Sequence, residues 1–159
     1  MTINHATFTV TRTYPQTVDK VFGAFSDEST KRRWVAARDQ SESTSFRMDF
    51  RVDGHEFSAF SLPEGEHLPP QVRGQRITNE AVYQHIVPNE RIVYAYRMSI
   101  GGVCMSVSLA TVEFQPASKG TTVTFTEQGC YFENADGAAM REGGWNDLLA
   151  RLGAVLELH

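Results

Sequence analysis

Glu127 is the residue whose type and position together point most directly to chemistry. In the segment 121–132, Val123 and Phe125 set the parity of the positions that face inward, and Glu127 continues that parity. The alternation therefore predicts a carboxylate that points toward the core. Such a carboxylate is suited to anchor a polar group of a ligand, or to act as a general acid or base with a shifted pKa.

Arg12 is the second polar anchor candidate, because it also occupies an inward position. In the segment 6–13 the threonines fall on one face, while Phe8, Val10 and Arg12 fall on the other. Arg12 and Glu127 are therefore the charged residues that the alternation predicts at inward positions.

Aromatic side chains are the remaining candidates for a binding site. Cavities that hold small molecules are mostly apolar and carry a few polar groups that fix the orientation of the ligand. Core packing is the better explanation for any single aromatic residue, and a buried tyrosine hydroxyl finds its partner inside the protein, in solvent or on a ligand. The cavity candidates are Trp34, Phe50, Phe57, Tyr83, Tyr94, Tyr96, Phe125, Trp145 and Leu149, together with Glu127.

No set of residues has the spacing of a catalytic or metal site. His55 and Glu56 are neighbours on a predicted strand and so face opposite sides, while Ser106 and Ser108 have no histidine and acid placed to activate them. The histidines and cysteines lack metal-ligand spacing. We therefore expect no catalytic residue, no metal and no cofactor.

The two cysteines raise the question of a disulfide. Cys104 and Cys130 fall nearly opposite each other if their segments form a hairpin that turns at residues 116–120. Free buried thiols are the favoured interpretation, because disulfides are rare in the cytosol.

The composition is that of an ordinary globular domain. The 159 residues are 41% hydrophobic and 21% charged, with a formal net charge of -4. This balance argues against nucleic-acid binding, which calls for a basic face. No apolar run reaches the roughly 20 residues that span a bilayer, and residues 1–5 show no signal peptide. We expect a single domain over residues 1–159, located in the cytoplasm.

The pattern predicts seven strands, two short helices after the first strand, and one long closing helix. Thr17 is a candidate cap for a helix to about residue 25, and Asp27 for a second helix that exposes Lys31 and turns Trp34 inward. The proline-containing segment 63–73 is either a mobile lid or a long connection. The strands are expected at 6–13, 46–53, 55–62, 75–87, 91–99, 103–115 and 121–132.

The segment 46–53 gives the clearest strand signal. Apolar and charged residues alternate there without a fault over all of its positions. Asp53 and Gly54 follow, and this pair is a strong signal for a two-residue hairpin turn.

The closing helix carries one apolar stripe at helical spacing. Gly143 and Gly144 are costly inside a helix. They indicate a close approach of the sheet, room for a ligand beside Trp145, or a helix that begins only near Gly144. The stripe consists of Trp145, Leu148, Leu149, Leu152, Val155 and Leu156. A run of strands closed by this helix predicts an α+β fold with the helices on one face of an antiparallel sheet.

In their order along the chain, these segments resemble the helix-grip superfamily (Bet v 1-like, START-like, SRPBCC). More narrowly, they resemble the bacterial branch named for the C-terminal domain of the Hsp90 ATPase activator. The resemblance implies a curved seven-stranded antiparallel sheet around the long C-terminal helix, with a cavity between them that in relatives holds apolar or amphipathic molecules. The matching pieces are 18–25 with Trp34, 46–54, 87–94, 120–129, and Arg141 with 143–149.

The resemblance also places the first and last strands side by side, so that Arg12 and Glu127 are expected to meet. A structural ion pair near the open rim is the favoured interpretation of that contact. One carboxylate with one arginine lacks the further groups that a catalytic mechanism requires.

The expected function is the binding of a small apolar or amphipathic molecule in the cavity. Relatives include lipid carriers, hormone receptors, aromatic polyketide cyclases and the Hsp90 activator, so the fold does not assign one activity. Two alternatives stay open: a cyclase- or hydrolase-type enzyme that uses Glu127 and a tyrosine as acid and base, and an interaction module for a chaperone or other partner. Exposed edge strands leave a homodimer open.

Overall fold

Seven strands form one curved, open antiparallel sheet in the computed structural model, which describes residues 2–36, 44–61, 74–132 and 137–158. The strands are β1 (Asn4–Tyr14), β2 (Ser45–Met48), β3 (His55–Ser61), β4 (Arg76–Val87), β5 (Arg91–Ile100), β6 (Val103–Ala117) and β7 (Gly120–Tyr131). Their order across the sheet is β1-β7-β6-β5-β4-β3-β2. The first and last strands are therefore neighbours, as expected.

Three helices complete the α+β fold, and the predicted fold class is confirmed. They are α1 (Val18–Ser26), α2 (Glu28–Val35) and α3 (Gly137–Glu157). The first helix is amphipathic and buries Val21, Phe22 and Phe25. The second helix is capped by Asp27, whose carboxylate accepts a hydrogen bond from the backbone nitrogen of Thr30 at 3.0 Å.

The core lies between the helices and one face of the sheet, which we call the inner face. Helix α3 packs against β1 and β7 and beside α1 and α2. Among the described residues, no helix is long and apolar enough to cross a membrane. Side chains that line the inner face include Phe8, Val10, Tyr83, Ile92, Tyr94, Tyr96, Ala110, Val112, Phe114, Val123 and Phe125.

The hairpin between β6 and β7 fixes the register of these two strands. It closes between Ala117 and Gly120, where the backbone φ of Gly120 is 146° and a Cβ would collide with the carbonyl of Tyr14. This register places Cys130 opposite Val107, three residues from the position that the sequence suggested.

The expected opposition of the two cysteines is therefore wrong. Cys104 of β6 pairs with Ser99 of β5, whereas Cys130 of β7 pairs with Val107 of β6. Both thiols are free.

Strand β2 is shorter than the expected strand 46–53, because it ends at Met48. The chain then turns toward β4: the backbone nitrogen of Asp53 donates to the carbonyl of Tyr83 at 2.8 Å, and that of Tyr83 donates to the carbonyl of Gly54 at 3.0 Å. Asp53 and Gly54 are thus the end of a six-residue connection between Met48 and His55. The predicted two-residue hairpin turn is wrong.

Both glycines of the closing helix lie inside it, because α3 begins at Gly137. A start near Gly144 is therefore wrong. A Cβ added at Gly143 or Gly144 would meet no atom within 4 Å, which excludes a close approach of the sheet. Open space lies beside α3 at these positions. The segment 63–73, expected as a lid or connection, lies outside the described residues.

Candidate functional site

Glu127 is fully buried on the inner face, as its parity in β7 predicts. Its carboxylate accepts hydrogen bonds from the hydroxyl of Tyr96, from that of Tyr131 at 2.6 Å, and from that of Ser108 at 3.1 Å. Three hydroxyls therefore solvate an anion that burial would otherwise disfavour.

Arg141 of α3 supplies the counter-charge. Its Nη1 lies 3.3 Å from Glu127 Oε2 and donates to the Tyr96 hydroxyl at 2.9 Å, while Nη2 donates to Ser106 Oγ at 2.8 Å. We call this group, with Ser108 and Tyr131, the Glu127 cluster. One cation matches one anion, so the cluster as a whole is neutral.

Arg12 does not meet Glu127, and the expected pair is wrong. The register of β1 and β7 places Phe8 opposite Glu127 and Arg12 opposite Val123. Four residues of strand separate the two positions, about 13 Å. Arg12 instead donates from Nη2 to the backbone carbonyl of Asn146 on α3, at 3.3 Å.

A second buried ion pair joins α2 to the sheet. Lys31 Nζ lies 2.6 Å from Glu56 Oε1, and the hydroxyl of Tyr83 donates to the same oxygen. The expectation that Lys31 is exposed is wrong, because it lies three residues before Trp34 and so shares the buried face of α2. Glu56 points inward while His55 is exposed, as expected for neighbours on a strand. We call Lys31, Glu56 and Tyr83 the Lys31 cluster.

Tyr94 lies between the two clusters. Its ring centroid is 6.1 Å from that of Tyr83 and 5.8 Å from that of Tyr96, and Lys31 Nζ lies 5.7 Å from it. The side chain is 6% exposed, and burial raises the pKa of the Tyr94 phenol well above its usual range.

The hydroxyl of Tyr94 has no hydrogen-bond partner in the described part of the chain, in contrast to those of Tyr83 and Tyr96. Among the described residues, the fully enclosed side-chain oxygen or nitrogen without a partner is Gln16 Oε1. A buried phenol normally finds a partner, and no described residue supplies one to the Tyr94 hydroxyl.

Helix α3 contributes an aromatic side chain next to the Glu127 cluster. The indole of Trp145 stacks on Phe125, with ring centroids 3.8 Å apart and an interplanar angle of 24°. One turn later Leu149 is fully buried, and its carbonyl accepts a hydrogen bond from the Tyr14 hydroxyl at 2.7 Å. These contacts hold α3 on the β1 side of the sheet.

The other aromatic candidates lie in three different environments. Trp34 is fully enclosed, with its indole nitrogen bonded to the carbonyl of Ala24 at 2.9 Å, so it belongs to the packed core. Phe50 meets the ring of Tyr83 edge-on at 5.0 Å, beside the Lys31 cluster. Phe57 is on the outer face beneath Arg47, and its expected inward position is wrong because Glu56 takes that parity.

The outer face carries a shallow groove of about 600 Å³, separated from the tyrosines by the sheet. Its lining includes Thr7, Ala95, Val107 and Leu109, which alternate along their strands with inward residues. Val107 and Leu109 are exposed apolar side chains.

The sequence analysis did not propose two of the buried charged residues, Arg141 and Lys31, as site residues. Arg141 lies one turn before Trp145 and so extends the apolar stripe of α3 toward its start, which is the signal that locates it. For Lys31, the only sequence signal of burial is its spacing of three residues from Trp34. Among the described residues, no group of three or more His, Cys, Asp or Glu comes together in a way that could hold a metal ion.

Glu127 is fully buried: Tyr96 donates to its Oε1, and Ser108, Tyr131 and Arg141 donate to its Oε2. This burial argues against a role as an acid or base that must reach a reactant. The Tyr94 hydroxyl, which has no partner among the described residues, can both donate and accept a hydrogen bond.

Comparison with known proteins gives one family and several structures. The sequence model of the family described as Activator of Hsp90 ATPase homolog 1-like protein matches residues 15–157. The crystal structure of the Mll3558 protein from Rhizobium loti is 44% identical, with a TM-score of 0.84 over 98% of this chain and 99% of that one. An uncharacterised protein from Rhizobium leguminosarum is 33% identical, with a TM-score of 0.87 over 99% and 98%.

A more distant structure, protein CV1439 from Chromobacterium violaceum, is 24% identical with a TM-score of 0.73 and covers 95% of this chain and 96% of that one. This likeness shows the fold. Among curated proteins, no sequence matches this chain.

Proposed function

The chain belongs to the family of Activator of Hsp90 ATPase homolog 1-like proteins, and we propose that it binds a small apolar or amphipathic molecule between the inner face of the sheet and α3. The observation that carries this proposal is the Tyr94 hydroxyl, which belongs to a buried side chain and has no hydrogen-bond partner among the described residues. A ligand oxygen or nitrogen at that position would satisfy it.

The position of α3 supports the proposal. The helix packs on β1 and β7, at one side of the sheet, whereas Tyr83 and Tyr94 are on β4 and β5. Helix α3 therefore covers the β7 side of the inner face. Beside it, the Cβ position of Gly144 is open for at least 4 Å although the residue is partly buried.

The acid/base alternative has no support from the geometry. An acid or base must reach a reacting atom, and Glu127 is enclosed by its own hydrogen-bond donors. The Lys31 cluster is likewise internally paired.

Native mass spectrometry of freshly purified protein, followed by solvent extraction and identification of any released molecule, tests the proposal directly. A complementary titration uses N-phenyl-1-naphthylamine, an uncharged probe whose fluorescence rises in apolar surroundings. We expect saturable binding at one site per chain. Absence of both a co-purified molecule and probe binding would contradict the proposed function.

Two neighbouring glycines give a matched pair of variants. Gly144→Leu places a side chain in the open, partly buried space beside Trp145, and we expect it to weaken probe binding at least tenfold. Gly143→Leu adds the same side chain at an exposed position of the same helix and should leave binding unchanged. Equal effects of the two variants would place the probe elsewhere.

A further inference from the structure

We infer that α3 consists of two units, a flap over residues 137–142 that opens on a hinge at Gly143 and Gly144, and an anchored unit over residues 145–157 that stays in place. The motion belongs to the fold itself and is independent of whether a ligand binds. Three features of α3 support this division: the surroundings of the two glycines, the way each unit is attached, and a side-chain contact across the hinge.

Neither packing nor backbone geometry requires a glycine at either hinge position. A Cβ added at Gly143 or Gly144 would meet no atom within 4 Å. Both residues lie inside α3, and neither has a positive φ. Alanine would therefore fit at both positions and would favour the helix. What glycine supplies here is conformational freedom, which is the property that a hinge needs.

The anchored unit is attached to the rest of the fold from its first turn. The carbonyl of Asn146 accepts a hydrogen bond from Arg12 at 3.3 Å, and the carbonyl of Leu149 accepts one from Tyr14 at 2.7 Å. Backbone groups of this unit are thus tied to β1. Its buried side chains all belong to the apolar core, and they are Leu149, Leu152, Val155 and Leu156.

The flap is held mainly by one polar side chain. Among residues 137–142, Arg141 is the buried residue, and Ala138 is a partly buried apolar one that packs against the core. The guanidinium of Arg141 lies 3.3 Å from Glu127 Oε2 and donates to Ser106 Oγ at 2.8 Å. Because these contacts depend on a single side chain, the flap separates from the sheet once Arg141 leaves the Glu127 cluster.

A side-chain contact spans the hinge. The amide of Asn146 donates from Nδ2 to the carbonyl of Glu142 at 3.1 Å. In a helix the same carbonyl is the acceptor for the backbone nitrogen of Asn146, four residues later. An asparagine side chain can replace a helical hydrogen bond in this way. The contact leaves Glu142 with a donor when the helix bends at the glycines, which lowers the cost of opening.

Opening of the flap uncovers buried polar groups of the sheet. Ser106 and Glu127 are fully buried, and Arg141 is the residue of α3 that contacts both. The open state therefore exposes this part of β6 and β7, while the anchored unit keeps the apolar core covered.

Hydrogen exchange of the backbone amides, followed by NMR at several urea concentrations below about 1 M, tests the hinge in the unmodified chain. The amides of residues 144–147 donate across the hinge, whereas those of 151–156 lie within the anchored unit. After correction for intrinsic rates, we expect the first group to exchange at least tenfold faster, with little dependence on urea, as local opening does. A single urea-dependent rate for both groups would overturn the inference, because α3 would then open as one unit.

Glycine variants test the hinge positions themselves. Gly143→Ala combined with Gly144→Ala should slow exchange at 144–147 about thirtyfold, the difference in helix propensity of two glycines. Gly153→Ala is the matched control, because it makes the same replacement inside the anchored unit, and it should leave exchange at 144–147 unchanged. No slowing in the double variant, or equal slowing in the control, would overturn the inference.

Ser106→Ala tests the attachment of the flap. It removes one acceptor of Arg141 and leaves the ion pair with Glu127, so the chain should still fold. We expect exchange at 144–147 to accelerate about fivefold, the usual net value of one hydrogen bond. Val155→Ala, which removes an apolar contact of the anchored unit, should accelerate 151–156 and not 144–147. Unchanged exchange at 144–147 in Ser106→Ala, or equal acceleration there in both variants, would overturn the inference.

Discussion

The ring of Tyr131 lies across Gly129 on the same strand, and its hydroxyl donates to Glu127 at 2.6 Å. A Cβ on Gly129 would lie 2.5 Å from the ring carbon Cζ and from the hydroxyl oxygen. Side chains two apart on a strand share a face, so a tyrosine can reach four residues back along β7 only over a glycine. The absence of a side chain at Gly129 thus lets the Tyr131 hydroxyl reach the buried carboxylate of Glu127.

Gly129→Ala is therefore expected to displace Tyr131 from Glu127 and to lower the free energy of unfolding by about 1–3 kcal/mol, the cost of a buried group that loses a hydrogen bond. Urea denaturation of the purified variants measures this. In a Tyr131→Phe background the same substitution should cost clearly less, because that hydrogen bond is already absent. Additive costs in the double variant would show that the two residues act independently.

Arg141→Met leaves the carboxylate of Glu127 buried without a counter-charge. We expect a loss of about 3–5 kcal/mol in the free energy of unfolding, as for other broken buried ion pairs. Arg97→Met is the control, because Arg97 pairs with Glu80 in exposed surroundings, where an ion pair contributes little. A loss no greater in Arg141→Met than in Arg97→Met would contradict a structural role for the buried pair.

All five tyrosines have pKa values above the usual phenol value, chiefly because burial disfavours the phenolate; they are Tyr14, Tyr83, Tyr94, Tyr96 and Tyr131. A raised pKa means that the folded chain holds these protons longer than the unfolded chain. The associated stability is fully present below the unfolded value near pH 10 and is lost as the pH rises beyond it.

Absorbance at 295 nm should accordingly show almost no phenolate in the folded protein at pH 10 to 11. A steep rise should follow, and circular dichroism should show unfolding over the same interval. Gradual ionisation of several tyrosines near pH 10, with the fold intact, would be inconsistent with their burial.

Asp27 gives the opposite pH dependence at the start of α2. Hydrogen bonds from the side chains of Thr30 and Ser29, and from the backbone of Thr30, lower the pKa of its carboxyl. Its contribution to stability is therefore present above the ordinary carboxyl value and is lost as the pH falls through the lowered value. Asp27→Ala should cost about 1 kcal/mol at pH 7.

Asp27→Asn separates the two effects. The amide keeps a capping oxygen, so stability at pH 7 should stay near that of the parent protein, while the part of the acid dependence that comes from Asp27 disappears. Thermal denaturation at pH 7 and at pH 3 distinguishes these outcomes. A variant that loses as much stability as Asp27→Ala would mean that charge, not capping, stabilises α2.

Local patterns of the sequence predict which face a side chain takes, but not which residue it meets. The alternation of β7 predicts the inward position of Glu127 correctly, because parity depends on neighbours two residues away. Its partner depends on the register of β1 with β7, strands more than 100 residues apart in sequence with no short turn between them. Arg12 is on the inward parity that the alternation predicts, but it is opposite Val123 and not opposite Glu127.

Other errors arise where tertiary hydrogen bonds override a local signal. The alternation of residues 46–53 suggests one long strand, yet Asp53 and Gly54 bond to Tyr83 and draw the chain away from β2. The charge of Lys31 predicts exposure, but its spacing to Trp34 places it on the buried face of α2. Neither the β4 contact nor the carboxylate of Glu56 is visible from the segments themselves.

The burial of Lys31 should also slow its chemical modification. The chain has three lysines, and Lys20 and Lys119 are exposed, whereas the Lys31 side chain is 4% exposed. An amine-reactive reagent can therefore acylate two of the three side chains at once, and the third only when α2 moves away from the sheet. The rate at which Lys31 is acylated therefore reports how often α2 separates from the sheet, a motion that would also let a small molecule enter or leave.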